Sequence, residues 1–182
     1  MSFHEGLDDL GTYYQICKVE GTTPILFIHG VGLDHSMWSP QTDFFKNQTT
    51  IVYDLIGHGY STCTQHEVNF EDFSRQIESL LQILRIQKVI IIGFSLGGLI
   101  AAHFSSTRKH YALKTVLFGT IFNRTDEQQK KAAERFINVQ ETYLNAPQQL
   151  DRWFNQDYLS SHPDIAEKIT NILNNNNHDD FL

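Results

Sequence analysis

Cysteine is scarce: only Cys17 and Cys63 occur in a chain of 182 residues. They stand far apart and form no C-x-x-C pair, so neither a disulfide framework nor a zinc knuckle is indicated. Basic charge is also in short supply. Fourteen Lys and Arg against 21 Asp and Glu leave a net charge of −7, and no basic stripe is visible. That removes the electrostatic case for a nucleic-acid partner. Long apolar runs are missing too, and none approaches the roughly 18 residues needed to span a bilayer. The stretch 1–10 carries Glu5, Asp8 and Asp9 in place of an apolar signal core. No membrane partner is expected, and the expected location is cytoplasmic. The remaining composition, 41% hydrophobic and 19% charged, is that of an ordinary globular chain.

What is present gathers around one stretch, Val89-Ile90-Ile91-Ile92-Gly93-Phe94-Ser95-Leu96-Gly97-Gly98. The β-branched run from Val89 to Ile92 reads as a buried strand, and Leu99, Ile100, Ala101 and Ala102 read as a helix. Between them stands G-x-S-x-G, the pattern of a nucleophile elbow when it joins a strand to a helix. A serine at that junction needs a strained backbone if its Oγ is to stand clear of both elements. Gly93 and Gly97 lack Cβ atoms, so strand, turn and helix can approach closely. The helix N-terminus aims amide donors and positive dipole at the place where an oxyanion would develop on a substrate of Ser95.

Elsewhere strands and helices alternate. Residues 12–19 are β-rich. Residues 24–28 form a short apolar run that ends at His29-Gly30-Val31-Gly32, and residues 50–53 form a second that ends at Asp54-Leu55-Ile56-Gly57-His58-Gly59-Tyr60-Ser61. A short helix is expected over 37–45, with Trp38, Phe44 and Phe45 as core anchors. Asn69 can cap a helix over 70–85 whose apolar stripe is Phe73, Ile77, Leu80, Leu81 and Leu84. The helix after Ser95 is expected to run to 107, and 114–118 is another strand. This is the pattern of an α/β fold with a mostly parallel sheet and flanking helices. Ligands bind at the carboxyl ends of such strands, so the loops bearing His29-Gly30, Asp54 and Ser95 are expected to share a site.

Beyond Phe118 no strand-like run appears, and Asn, Gln, Asp and Glu become frequent. Thr125-x-x-Gln128 is a capping box for a helix with Ala132, Phe136, Val139 and Tyr143 on one face. A second helix is expected over 148–154. A third, with Pro163 at its first position, carries Ile165, Ile169 and Ile172. Residues 1–119 thus read as the core and 120–182 as a helical cap over the sheet edge, with Phe136, Val139, Tyr143 and Trp153 facing Ser95. No internal repeat is present.

His29-Gly30-x-Gly32, then Asp54-x-x-Gly57-His58-Gly59-x-Ser61, then Gly93-Phe94-Ser95-Leu96-Gly97-Gly98, in that order, resembles the α/β-hydrolase superfamily. Arg152-Trp153-Phe154, followed by His162-Pro163 and the Asn-rich stretch, is similar to the cap of 3-oxoadipate enol-lactonases. Those enzymes hydrolyse a small cyclic enol-lactone bearing carboxylates. The resemblance implies Ser95 as nucleophile and the backbone N–H groups of Val31 and Leu96 as the oxyanion hole, where one good donor is worth roughly 3 to 4 kcal/mol of barrier. It implies structural roles for His29 and Asp54 at the strand ends, and for His58 a loop-organising role or a place in the pocket wall. Arg152 either meets a substrate carboxylate or is a solvated charge of the cap, and Trp153 is cap core or a ligand platform. The implied partner is a small-molecule ester or lactone, with no metal and no organic cofactor.

One part of that pattern is missing. A serine hydroxyl must lose its proton as it attacks, which takes a histidine held by an acid, and in this fold the order is Ser, then Asp or Glu, then His. The histidines after Ser95 are His103, His110, His162 and His178, and none stands where the family carries its base. Asp126 follows the strand after the elbow, where some members carry the acid. The expectation is a C-terminally incomplete hydrolase whose last core strands are absent. The alternatives are a binding module that has lost its chemistry, or a cap histidine acting as substitute base. An incomplete sheet would leave an apolar edge open to aggregation, and ester turnover by this chain alone is expected to be no more than a trace.

Overall fold

The computed structural model describes residues 1–63, 67–137 and 146–175, the side chains of 135–137 and 175 excepted. Its strands are β1 (Ser2–Leu7), β2 (Tyr13–Lys18), β3 (Ile25–Ile28), β4 (Thr50–Tyr53), β5 (Val89–Phe94) and β6 (Ala112–Phe118). A 3-10 turn (His35–Trp38) leads into α1 (Ser39–Phe44), followed by α2 (Phe70–Ile83), α3 (Leu96–Thr107), α4 (Asp126–Ile137), α5 (Ala146–Trp153), α6 (Gln156–Ser161) and α7 (Pro163–Asn175).

The strands form one sheet in the order β1-β2-β4-β3-β5-β6. β4, β3, β5 and β6 run parallel, whereas β2 pairs antiparallel with β4 and β1 pairs antiparallel with β2 at the edge. β3 and β4 are buried at every position, which is why their sequences are unbroken apolar runs. Successive residues of β3 feed opposite faces. Leu26 and Ile28 join Ile77, Leu80, Ile100 and Phe104 from α2 and α3, while Ile25 and Phe27 join Trp38 on the other side. Asn69 closes a full capping box on α2, accepting from the Asp72 N–H while the Asp72 carboxylate accepts from the Asn69 N–H. The face of α2 that carries Phe73, Ile77, Leu80 and Leu81 is buried as the stripe predicts.

Three features depart from the sequence reading. Phe44 is not a core anchor: it is 80% exposed, while Phe45 packs toward Phe27 with ring centroids 6.2 Å apart. Adjacent residues on a helix point about 100° apart, so one helix face seats only one of the two. β1 carries no strand signal in the sequence, because its side chains lie outside the core and show no alternation. α6 carries no helix signal either, being short and polar.

Beyond β6 the described residues are helical. The Thr125–Gln128 box closes in both directions, Thr125 N to Gln128 Oε1 at 3.0 Å and Gln128 N to Thr125 Oγ1 at 3.3 Å. α5 and α6 pack against α7. α7 is tied back to the 3-10 turn and the start of α1 by Lys168 Nζ, which donates to Ser36 O at 2.8 Å and to Ser39 Oγ at 2.6 Å. The side chain of Phe136, and residues Val139 and Tyr143, lie outside the described part; Trp153 is 39% exposed. Among the described residues β6 is hydrogen-bonded to β5 and to no other strand, and Leu113, Val116, Leu117 and Phe118 on it are each close to half exposed or more.

Candidate active site

Three loops leave the carboxyl ends of β3, β4 and β5, and the structure ties them to one another at the sheet edge. Ser95 stands between β5 and α3 with φ 52° and ψ −115°, a region that non-glycine residues enter only when the surroundings hold them there. The holding contacts are on both sides. Its N–H donates to Phe118 O at 3.0 Å, and its carbonyl accepts from Thr120 Oγ1 at 2.8 Å. α3 can begin directly after the serine because Gly93 and Gly97 meet: a Cβ on either would fall inside backbone atoms, those of Gly97 in one case and the Ile28 and His29 carbonyls in the other. The Ser95 side chain makes no capping bond to α3. It is partly accessible, as are Leu96 and Val31.

The β3 loop comes up against the elbow at Gly30, where a Cβ would lie 3.2 Å from Ser95 Cβ and 3.1 Å from the Phe94 ring. Val31 is therefore the next residue after a backbone in contact with Ser95. His29 is fully buried and both ring nitrogens are engaged. Leu55 N–H donates to Nε2 at 2.9 Å, so Nδ1 carries the proton and donates it to Gly30 O at 2.8 Å. Desolvation, followed by repulsion from His58, holds the His29 pKa down to about 3. The imidazole is thus a neutral strut between the β3 and β4 loops.

Asp54 is also fully buried. Its Oδ1 accepts from the backbone N–H of His35 at 2.7 Å and faces His35 Nδ1 at 2.8 Å, while Oδ2 accepts from Tyr60 N–H at 2.9 Å. The Asp54 carbonyl takes Ser61 Oγ at 2.7 Å and Gln76 Nε2 at 3.0 Å. Burial alone pulls His35 down, but the hydrogen bond and charge of Asp54, with the charges of Asp34 and Glu5, outweigh it and raise the His35 pKa. His58 is buried with Nδ1 3.0 Å from Ile56 O, and desolvation lowers its pKa to about 4. The sequence reading missed His35. Its partner lies 19 residues away, and no motif announces the pair.

These motifs occur together within one matched span: residues 23–177 fit the sequence profile of the α/β hydrolase fold. The chain belongs to the α/β-hydrolase family. Among its curated α/β-hydrolase relatives, (E)-2-((N-methylformamido)methylene)succinate hydrolase of Acinetobacter baylyi is 29% identical over 75% of this chain and 52% of its own length. The 3-oxoadipate enol-lactonase 2 of the same organism is 25% identical over 82% of this chain and 56% of its own. The enol-lactonase from Burkholderia xenovorans superposes with a TM-score of 0.82 at 22% identity, over 98% of this chain and 70% of that structure; it shares the fold. The chain spans about half the length of the curated relatives it matches.

The other candidate positions lie on the helical side. His103 and His110 are accounted for locally: His103 Nδ1 is 2.8 Å from Ser74 Oγ, and the His110 ring lies tilted against Tyr111 with centroids 4.3 Å apart. His162 Nδ1 is 3.0 Å from Ser161 Oγ and from Tyr158 O. Asp126 opens α4 and is exposed. His178 lies outside the described residues. Arg152, in the last turn of α5, shares the wall of a recess of about 360 Å³ with Ile121, Phe122, Arg124 and Gln128. Among the described residues no group of three His, Cys, Asp or Glu side chains is placed to hold a metal ion, and no helix is long and apolar enough to cross a membrane.

Proposed function

We infer that this chain is the nucleophile-bearing part of a serine hydrolase of small carboxylic esters or lactones. The observation that carries the reading is Ser95 held at φ 52° at the head of α3, with the Gly30–Val31 backbone against it. Ser95 Oγ attacks the carbonyl carbon, and the carbonyl π pair moves onto oxygen. The Leu96 N–H, at the positive end of the α3 dipole, and the Val31 N–H donate to that oxyanion. Collapse of the tetrahedral adduct expels the alcohol or enolate and leaves an acyl-Ser95 ester, which water then cleaves to the free acid. Residues 120–182 act as a cap, in which Arg152 and Trp153 meet the substrate. Neither metal nor organic cofactor takes part.

The proton of Ser95 has to go to a histidine held by an acid. Among the described residues no histidine is hydrogen-bonded to Ser95, so the base is supplied from elsewhere and the 182-residue chain alone is close to inactive. Loss of the base costs on the order of 10⁶ in turnover, while an intact oxyanion hole retains roughly 10³ to 10⁴ over water. The same observation is what a non-catalytic small-molecule binding protein would display. Hydrolysis of an activated ester separates the two. The expected result is Ser95-dependent turnover, abolished by Ser95→Ala, in a longer version that carries a further strand-borne Asp and a later His, with only a trace from the chain itself. No turnover in the longer version refutes the hydrolase reading. Robust Ser95-dependent turnover by the short chain refutes the missing base and directs attention to His162 and His178.

A further inference from the structure

Of the two backbone donors assigned to the oxyanion, Leu96 is the first residue of α3, whereas Val31 lies in the connection between β3 and the 3-10 turn. The Val31 N–H has no acceptor among the described residues, so its direction is set by the path of that connection. The path is fixed from two sides. On the inner side, Gly30 O takes the His29 Nδ1 proton at 2.8 Å and the Leu33 N–H at 3.2 Å, and Asp54 Oδ1 takes the His35 N–H at 2.7 Å. On the outer side stands α7. Gly32, directly after Val31, turns the chain with φ 73°, and a Cβ placed on it would meet Leu173 Cδ2 of α7 at 3.5 Å. Leu173 is buried there. Further along the same segment, Lys168 Nζ holds Ser36 O and Ser39 Oγ.

The Lys168 contact differs from an ordinary surface ion pair. Asp164 and Glu167 precede it on the same helix and line one recess with it, together with Asp34. Among the described residues Lys168 nonetheless forms no ion pair. It gives its protons to two neutral oxygens 132 and 129 residues away in sequence. A charged donor strengthens such bonds, and their length and direction join α7 to the segment that leaves Gly32. We propose that Lys168 and Leu173 position the Val31 N–H, so that the oxyanion hole takes its working shape only while α7 is docked on residues 31–39. Lys168 is then a positioning residue, acting on the reacting oxygen through the loop. Its effect on turnover rests on the hydrolase reading; the mechanical link between α7 and the loop does not.

Two measurements test this. In the chain as it stands, amide hydrogen exchange compares the parent with Lys168→Met and Leu173→Ala. Both variants should exchange about tenfold faster over residues 29–38, as loss of a charged hydrogen bond or of a buried side chain requires. Unchanged exchange over β5 will establish that the sheet is folded. In the longer version that carries the base, the substrates are an activated ester and its thionoester, with sulfur in place of the carbonyl oxygen. Sulfur is a weak acceptor, so donors aimed at an oxyanion do little for the thionoester. Lys168→Met should lower kcat for the oxygen ester about tenfold with KM little changed, and slow the thionoester clearly less, so the ratio of the two rates falls. Lys168→Arg should restore part of the ratio, because a charged donor returns with different geometry. A purely structural loss slows both esters alike. Equal slowing of the two, an unchanged ratio, or unchanged exchange over 29–38 in Lys168→Met would each overturn the proposal while a Ser95-dependent longer version leaves the hydrolase reading standing. A longer version with no turnover removes the hydrolase reading, and the assigned role of Lys168 with it.

Discussion

Two buried neutral histidines make this chain's stability depend steeply on acid. His29 and His58 have pKa values held to about 3 and about 4 in the folded state, against about 6.5 in the unfolded chain. Each folded pKa is depressed, so below 6.5 the unfolded chain binds protons that the folded chain refuses. The associated stability is present above 6.5 and is lost as pH falls toward the folded values. One such proton is worth about 1.4 kcal/mol per pH unit, so the pair should impose a slope of roughly 2 to 3 kcal/mol per unit between about pH 6 and pH 4.5. Over that interval the loss is about 4 kcal/mol, a large share of the 5–15 kcal/mol typical of whole domains. His35 acts in the opposite sense. Its folded pKa is raised, so its contribution is complete below about 6.5 and is lost as pH rises through the folded value. Stability should therefore peak near neutrality. Urea unfolding from pH 4.5 to 8 measures the profile, and His58→Gln should remove about half of the acid-side slope. Proton uptake on unfolding, read by calorimetry in buffers of different ionisation heat, gives the same quantity for any variant too unstable for urea titration. A flat profile between pH 6 and 4.5, or uptake below one proton, would refute the argument.

Ser95→Gly should raise the free energy of urea unfolding by about 1 kcal/mol, because it releases a strained φ at a position whose side chain makes no capping bond, while any Ser95-dependent turnover vanishes. Gly97→Ala drives a methyl into the Ile28 and His29 carbonyls; a loss of about 1 to 3 kcal/mol in urea unfolding is expected, and an unchanged midpoint would contradict the described approach. Asp54→Ala strips the acceptor from the buried His35 N–H, from the His35 ring and from the partly buried Tyr60 N–H, at a cost of about 3 kcal/mol or more. Val116→Lys on the open edge of β6 should leave the unfolding free energy within about 0.5 kcal/mol and lower light scattering on concentration, since charge blunts edge pairing.

The elbow was legible because its determinants are contiguous: a β-branched run, two glycines and a helix within ten residues of Ser95. The α2 stripe was legible for the same reason, since periodicity and cap lie in one segment. What escaped was non-local or unpatterned. β1 pairs with β2 through its backbone while exposing its side chains, so its sequence bears no mark of burial. Phe44 and Phe45 are equivalent as letters, and only the docking angle of a short helix decides which one is buried. The His35–Asp54 link joins two loops whose proximity exists only once β3 and β4 are neighbours. Arg124 joins Arg152 in the wall of one recess only through tertiary packing, and no motif in the sequence marks it.

The clamp on Ser95 has a bearing on how the chain is made. Thr120, which holds the Ser95 carbonyl, follows it by 25 residues, and Phe118, which accepts the Ser95 N–H, is only slightly nearer. At roughly 5 to 20 residues synthesised per second, that separation corresponds to about 1 to 5 s. During that interval the strained turn exists as sequence without the strand exit that enforces it, and the apolar run Val89–Ile92 can pair only with β3. The elbow therefore acquires its reactive geometry late, when the β6 strand arrives. Any delay between the emergence of β5 and that of residues 112–120 would lengthen the exposure of the β5 edge without altering a single residue of the finished protein.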